Sequence, residues 1–255
     1  MPSCVKPTAN TNKNNEMKID QLILIMLCFA ATGTYAETSA QVAAKASDAT
    51  LTSSPDSAAE EWTPLFAGDL SDAEFPAGVW TISDGELTAS EDKLIMTKQE
   101  YENFVLDLEF KNGPAANSGV FVYLSDPKGW VKNSVEIQIT DDFAAKWQKK
   151  NPTWRCGAFF GRLAASKQMV NPTGEWNRYT ITCRGPLIDV VLNGTHINSI
   201  DMRKWNSPTH NPDMSKKPPW LSKPLSELPT KGRIGLQGKH GGAPIWFRNI
   251  RVKQL

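Results

Sequence analysis

The chain has 255 residues, with 28 Lys+Arg against 27 Asp+Glu and a formal net charge of +1. Apolar residues make up 40% of the sequence and charged residues 22%. This composition is typical of a globular protein, and it excludes both wholesale disorder and the strongly basic surface of a nucleic-acid-binding protein. Beyond the N-terminal region no apolar run approaches about 20 residues, which excludes a polytopic membrane protein.

The N-terminal region has the pattern of a secretory signal peptide. Residues 21–31 form an apolar stretch of the usual length, Lys18 precedes it, and the small residue Ala36 follows it. We therefore expect a signal peptide over 1–36, cleaved after Ala36, with Met17 as the true start. The protein is accordingly predicted to be exported and to have no membrane attachment after cleavage.

Two other interpretations of this leader stay open. A lipoprotein would use Cys28, but the large Leu27 before it is unusual for lipidation. A retained membrane anchor would ordinarily need a longer apolar run.

The next segment, 37–60, is rich in Ala, Ser and Thr and has no aromatic residue, so it is predicted to be a flexible linker. The folded domain is expected over 61–255.

Short runs with two-residue alternation dominate this domain. In the clearest run, 104–110, Leu106, Leu108 and Phe110 alternate with Asp107 and Glu109. Similar runs predict about ten further strands over 79–82, 94–97, 119–123, 135–139, 158–160, 178–183, 188–192, 196–200, 233–237 and 245–252. The fold class expected from this pattern is all-β, an antiparallel β-sandwich of the jelly-roll type.

The breaks between these runs support the same fold. Asp84-Gly85 and Asn193-Gly194 are strong signals for tight hairpin turns, because such turns need positive φ angles. One short helix is predicted over 142–150. The segment 201–230 contains six Pro and two Trp without a strand pattern. We expect it to be an ordered excursion over one face or end of the sandwich, with Trp205 and Trp220 as candidate sugar platforms.

Cys156 and Cys183 are the two cysteines of the domain. An even pair in an exported protein permits a disulfide, and two buried thiols in neighbouring strands are an equal alternative. Neither cysteine has metal-ligand spacing with a histidine. No cofactor is evident in the sequence, and a requirement for a divalent cation stays open.

Three places combine polar groups with tight backbone demands. Glu136 and Gln138 are two residues apart in a predicted strand, so both side chains project from one face, either as an acid/base and hydroxyl-binding pair or as an ordinary solvated face. Gln237 and His240 precede a glycine pair, and His240 is the best proton-transfer candidate among the three histidines. Asn117 precedes a strand and is either a turn cap or a binding residue.

The order of these motifs resembles a known family. They run from the start at Trp62 through Asn-Ser-Gly at 117–119, Glu-Ile-Gln at 136–138, Gly-Glu-Trp-Asn at 174–177, Leu-Gln-x-x-His-Gly at 236–241 and Phe-Arg-Asn-Ile at 247–250. Taken together they are similar to the 3-keto-disaccharide hydrolase domain family, over essentially 61–255. The resemblance implies a concanavalin A-like sandwich in a bacterial exported protein, periplasmic or extracellular, whose partner is a carbohydrate.

The resemblance also implies a chemistry. A ketone at C3 of a sugar acidifies the C2 proton, so a base removes it, the C1 substituent leaves by elimination, and water then adds. Glu136 or His240 is expected to act as base or acid. The predicted substrate-binding residues are Asn117, Tyr123, Gln138, Gln237, Arg248, Trp205 and Trp220.

Parts of this assignment have alternatives. Arg248 is equally explained by a salt bridge at a strand end. Relatives usually carry an aspartate just before the turn histidine, where this chain has Gly238 and Lys239. A carbohydrate-binding module without catalysis and an interaction module on the linker are the other functions considered. An enzyme should bring Glu136, Gln138, Gln237 and His240 into one cleft. The sugar, the linkage and the oligomeric state are left open by the sequence.

Overall fold

Two antiparallel β-sheets form the domain in the computed structural model, which describes residues 61–255. This confirms the predicted all-β sandwich. The predicted signal peptide at 1–36 and linker at 37–60 lie outside the described residues. Within the described range, no helix combines the length and the hydropathy needed to cross a membrane.

The eight-stranded sheet has the order β11-β10-β9-β6-β13-β4-β3, with β1 paired to β13, and the five-stranded sheet has the order β2-β5-β12-β7-β8. The strand bounds are β1 Thr63–Pro64, β2 Ala73–Glu74, β3 Trp80–Ser83, β4 Glu86–Ala89, β5 Leu94–Thr97, β6 Phe104–Asn112, β7 Asn117–Leu124, β8 Val135–Thr140, β9 Trp176–Arg184, β10 Leu187–Leu192, β11 Thr195–Asp201, β12 Arg233–Gln237 and β13 Ile245–Gln254. A single turn of α-helix, α1, spans Ala145–Gln148.

Both predicted tight turns are present. Asp84 and Gly85 have φ of 52° and 78° and join β3 to β4. Asn193 and Gly194 have φ of 50° and 78° and join β10 to β11. Positive φ at both central residues is the signature of the turn that matches the natural twist of a hairpin.

The core lies between the sheets and follows the predicted alternation. Leu106, Leu108 and Phe110 of β6 are fully buried against residues of the other sheet such as Ile137. On the opposite face of β6, Asp107 accepts hydrogen bonds from arginines of the neighbouring strands β9 and β13. The outer surface of the eight-stranded sheet is thus covered by ion pairs.

Two predicted elements differ from the structure. The segment 158–160 forms no strand, because Phe159 makes only isolated bridges to Ile137 and Leu163. The predicted helix over 142–150 is reduced to the four residues of α1. It begins late because the Asp142 carboxylate accepts hydrogen bonds from Thr140 Oγ1 (2.7 Å) and Cys156 N (3.0 Å), and these bonds hold the chain in a turn.

The long segment 201–230 is ordered and packs on the domain, as predicted. It contains short 3-10 turns at Met202–Lys204, Pro219–Leu221 and Leu225–Glu227. Leu221 and Leu225 of these turns are buried. A Cβ atom on Gly161 would lie 2.5 Å from Leu221 Cδ1, which shows how closely this segment approaches the body of the domain.

Of the two alternatives for the cysteine pair, the disulfide is not formed. Cys156 and Cys183 are both buried free thiols, which was the alternative. Cys156 Sγ lies 3.2 Å from the hydroxyl of Tyr179, and burial raises the pKa of the Cys156 thiol to about 12. Neither thiol is therefore in a reactive, thiolate-forming environment.

Candidate active site

The site lies on the face of the five-stranded sheet that points away from the core. Strand β8 places Val135, Ile137 and Ile139 in the core, so Glu136 and Gln138 project from the opposite face. This is the division that the alternation predicts. The face is not an ordinary solvated one, because Glu136 is only 8% exposed.

Gly119 of β7 makes room for the carboxylate. In the register between β7 and β8, Gly119 lies opposite Gln138, and Phe121 lies opposite Glu136. A Cβ atom on Gly119 would come within 2.7 Å of Glu136 Oε1. The carboxylate therefore folds over a position that only glycine leaves empty.

The two oxygens of Glu136 have different surroundings. With the Gln138 amide assigned so that its nitrogen faces Glu136, that nitrogen donates to Oε1 and to the carbonyl oxygen of Ser118, each at 3.0 Å. The side-chain amides of Gln138 and Asn117 meet at 3.1 Å. Oε2 is buried and has no hydrogen-bond partner among residues 61–255. One oxygen is thus fixed in place, while the other is an unsatisfied polar atom beside the cleft.

The surroundings favour the protonated form of Glu136. Burial raises the pKa of this carboxyl to about 8, and the negative charge of Asp92 contributes to the rise. At neutral pH the group is therefore a carboxylic acid rather than a carboxylate. This is the state in which a buried glutamate can serve as a proton donor.

His240 and Gln237 are joined by Asp92, which lies between β4 and β5. His240 Nδ1 lies 2.5 Å from Asp92 Oδ2, and Gln237 Nε2 donates to Asp92 Oδ1 at 3.0 Å. An ionised carboxylate only accepts hydrogen bonds, so in the neutral imidazole the proton is on Nδ1 and the lone pair is on Nε2. Asp92 supplies the carboxylate that Gly238 and Lys239 do not.

Aromatic side chains enclose these polar groups in a cleft of about 400 Å³. Trp147, Trp154 and Phe160 come from the segment after β8, and Trp220 comes from the segment 201–230. The rings of Trp154 and Trp220 meet edge to face with centroids 6.0 Å apart. Aromatic faces beside convergent polar groups are the usual environment of a bound sugar.

The structure brings together six of the predicted site residues in this cleft: Asn117, Glu136, Gln138, Trp220, Gln237 and His240. The remaining three, Tyr123, Trp205 and Arg248, lie outside it.

Tyr123 lies in the core and not in the cleft. It is fully buried, and its hydroxyl lies 3.0 Å from the carbonyl oxygen of Glu102 and 2.8 Å from that of Gly185, either of which can accept its one proton. A bulge in β7 gives Tyr123 a φ of 57° and turns its side chain to the core face. The structure therefore corrects the prediction that Tyr123 binds substrate.

The predicted substrate contacts of Trp205 and Arg248 are corrected in the same way, because neither residue lines the cleft. Trp205 is 8% exposed and packs in the hydrophobic core behind the Met202–Lys204 turn. Arg248 lies on the eight-stranded sheet, where its Nε is 2.6 Å from Glu109 Oε2 and its guanidinium stacks 3.9 Å from the centre of the Trp176 ring. The salt bridge is the alternative explanation that the sequence offered for this arginine.

Sequence reasoning missed Asp92, Lys150 and Trp154. Asp92 is 148 residues from its histidine partner, and no local pattern connects them. Lys150 and Trp154 line the cleft, and their segment carried one available signal, two tryptophans close together after a site strand. Among the described residues, no group of three or more His, Cys, Asp or Glu side chains is arranged to hold a metal ion.

Comparison with known proteins identifies relatives of this chain. A 3-keto-disaccharide hydrolase from Bacteroides thetaiotaomicron is 26% identical over 214 residues, which are 69% of this chain and 70% of that protein. The crystal structure of a candidate glycosyl hydrolase from Parabacteroides distasonis is 52% identical, with a TM-score of 0.75 over 76% of this chain and 100% of that chain. A second structure from the same organism, 24% identical with a TM-score of 0.64, covers 76% of this chain and 94% of its own, and it shares the fold.

A family match covers the folded domain. The sequence profile of the 3-keto-alpha-glucoside-1,2-lyase-like domain matches residues 61–253, from the first residue that the structure describes to the last residue but one of strand β13. The chain therefore belongs to the 3-keto-alpha-glucoside-1,2-lyase-like domain family.

Proposed function

We propose that the protein is an exported enzyme that cleaves glycosides oxidised at C3, by removing the C2 proton, eliminating the C1 substituent and adding water. One observation carries this proposal: the buried Glu136, whose pKa is raised by burial, shares a cleft with a histidine that is hydrogen-bonded through Nδ1 to Asp92. The same four residues that an enzyme was expected to bring together, Glu136, Gln138, Gln237 and His240, all line it.

His240 is the proposed base. Its Nδ1 is held by Asp92, which leaves Nε2 with a free lone pair. The imidazole is half exposed at the mouth of the cleft, where it can reach a bound sugar. Gln237 acts on this base through Asp92, because its amide nitrogen is used by that carboxylate. It is a positioning residue rather than a hydroxyl-binding one.

Glu136 is the proposed acid. Its Oε2 is buried without a partner among the described residues, and burial raises the pKa of this carboxyl to about 8, which favours the protonated form at neutral pH. His240 takes the proton from C2, and the C–H electrons move onto the C3 carbonyl oxygen to form an enolate. When the enolate reforms the ketone, its electrons form the C1–C2 double bond and the C1–O bond breaks. The departing oxygen takes the proton from Glu136. The carboxylate formed then accepts a proton from the attacking water, and His240 returns its proton to C2. Both groups finish in their starting states.

The negative charge that develops on the C3 oxygen needs donors in the cleft. The Asn117 amide and the Lys150 ammonium group line the same cleft. Lys150 Nζ lies 5.7 Å from the centre of the Trp154 ring, so the cation is held near the aromatic wall. A fixed positive group near a developing enolate is the usual way in which enzymes lower this barrier.

The experiment is product formation from a 3-keto-glucoside by the purified protein. Wild type should release the aglycone, and Glu136→Gln and His240→Ala should each reduce kcat by a factor of about 100 or more. Glu100→Gln and His196→Ala are matched controls at exposed positions outside the cleft, and both should retain activity. Binding of a glycan without turnover by wild type would contradict the enzyme and favour a binding module.

A further inference from the structure

A second pocket lies directly beside the cleft. It has a volume of about 400 Å³ and shares Lys150, Trp154 and Trp220 with the cleft as a common wall. Its other side is formed by the segment 201–230, through residues 211–220. A ligand longer than one sugar unit that occupies the cleft would therefore meet this pocket next.

The pocket is cationic. Lys150, Lys216 and Lys217 line it, and no Asp or Glu is among the residues that form its wall in the described structure. Lys217 is only 7% exposed, and its Nζ donates to the carbonyl oxygen of Ser207 at 2.5 Å. Burying an ammonium group is unfavourable unless an opposite charge compensates for it. A single neutral carbonyl is a weak compensation, whereas an anionic ligand in the pocket would supply the opposite charge.

A buried arginine close to Lys217 adds to the positive charge of this pocket. Arg162 is 4% exposed, and its Nη1 is buried without a hydrogen-bond partner in the part of the chain that the structure describes. Burial lowers the pKa of Lys217 to about 8, and repulsion from Arg162 also lowers it, whereas Glu227 acts in the opposite direction. Two buried cations near each other would both be stabilised by an anion in the pocket.

The pocket also has an unfilled neutral acceptor. Asn211 is 3% exposed. Its Nδ2 donates to the Gly161 carbonyl (3.3 Å) and to Ser215 Oγ (3.0 Å), while its Oδ1 is buried and has no partner from the described domain. A hydroxyl group is the natural donor to such an oxygen. Cationic donors next to a hydroxyl acceptor are a set that suits an acidic sugar.

We propose that this pocket is a subsite for a sugar bearing an anionic oxygen group, a carboxylate or a sulfate ester, on the leaving-group side of the scissile bond. The assignment of the leaving-group side rests on the proposed function of the neighbouring cleft. In this arrangement Lys216 and Lys217 contact the anionic group, Asn211 accepts from a hydroxyl, and Trp154 and Trp220 separate the two sugar units.

The test measures binding directly and needs no turnover. Methyl glucuronide, methyl glucoside and glucose 6-sulfate are titrated into the full-length protein at low salt, with tryptophan fluorescence and calorimetry as readouts. We expect methyl glucuronide to bind about tenfold more tightly than methyl glucoside, and the preference to weaken as salt is raised. Stronger binding of glucose 6-sulfate than of the glucuronide would identify a sulfate ester as the natural group.

Two variants locate the preference. Lys217→Met keeps the apolar stem and removes the buried ammonium group, and Lys216→Met removes an exposed one. Each should reduce the preference for the acidic sugar, and Lys231→Met, an exposed lysine outside the pocket, should leave it unchanged. Because Lys216 is exposed, its variant tests the proposal even where Lys217→Met fails to fold.

The two proposals can fail separately. Equal binding of the acidic and neutral sugars, or a preference that survives both lysine substitutions, would overturn the subsite while turnover of a 3-keto-glucoside continued. A protein that does not turn over a 3-keto-glucoside, yet binds the acidic sugar through Lys216 and Lys217, would overturn the enzyme assignment and keep the subsite.

Discussion

The buried acid Glu136 should make the folded protein less stable as the pH rises, and Glu136→Gln should remove this effect. The substitution keeps the size of the side chain and replaces the carboxyl by a neutral amide, which needs no proton to stay buried. The variant is expected to be inactive and, in alkaline solution, more stable than the wild type. Loss of function together with a gain of stability is typical of strained active-site groups.

The magnitude follows from the pKa. An unfolded chain releases the Glu136 proton near the ordinary value of 4.5, whereas the folded protein holds it to about pH 8. A folded-state pKa above the unfolded one means that folding is weakened as pH rises through this window and is unaffected below it. Each pH unit in the window corresponds to about 1.4 kcal/mol, so the largest expected effect at pH 9 is about 5 kcal/mol.

The assay is urea unfolding of wild type and Glu136→Gln at pH 4, 6 and 9. The free energy of unfolding of the variant, relative to wild type, should increase by several kcal/mol between the first and last of these. Taking this difference cancels the titration of groups that do not interact with Glu136. Glu100→Gln, at an exposed position, should show no such trend. A difference between Glu136→Gln and wild type that is the same at all three pH values would refute the reasoning.

Three further predictions concern the same domain. Gly119→Ala should displace the Glu136 carboxylate, since the new Cβ would lie 2.7 Å from Oε1, and reduce kcat by about tenfold or more; unchanged kinetics in a folded variant would contradict this. Asp92→Asn should lower kcat much more than it changes KM, because His240 loses the partner that selects its tautomer, and a change in KM alone would argue against that role. Reducing agent should leave the thermal unfolding temperature unchanged, because both described cysteines are free thiols; a lower temperature would reveal a disulfide.

Sequence patterns predicted those features that lie within a single strand or a single turn. Glu136 and Gln138 share a strand, so their common face follows from two-residue alternation alone. The hairpin turns follow from the tolerance of Asp, Asn and Gly for positive φ. By the same reasoning, Tyr123 would share the face of Gly119 and Phe121. The bulge in β7 reverses this, and its position depends on the pairing with β12.

Other parts of the site depend on contacts across the whole chain. Asp92 and His240 meet only because β5 and β12 are neighbours in the five-stranded sheet. Gly238 permits this approach, because a Cβ on it would collide with the backbone oxygen of Glu91. Trp205 and Trp220 have similar surroundings in the sequence, yet one is buried and the other is 52% exposed. The neighbouring residues do not show which tryptophan is buried, since the difference lies in how the segment 201–230 folds.

The origins of the cleft residues divide the molecule into two parts that can change independently. The proposed proton donor and its supports, Glu136, Gln138 and Asn117, stand on paired strands of one sheet. The aromatic wall stands on the segments that follow β8 and β11. Connecting segments tolerate substitution, insertion and exchange far better than paired strands do. Substrate range could therefore diversify among relatives through these two segments alone, and grafting them between relatives is a direct route to new specificities on an unchanged reaction.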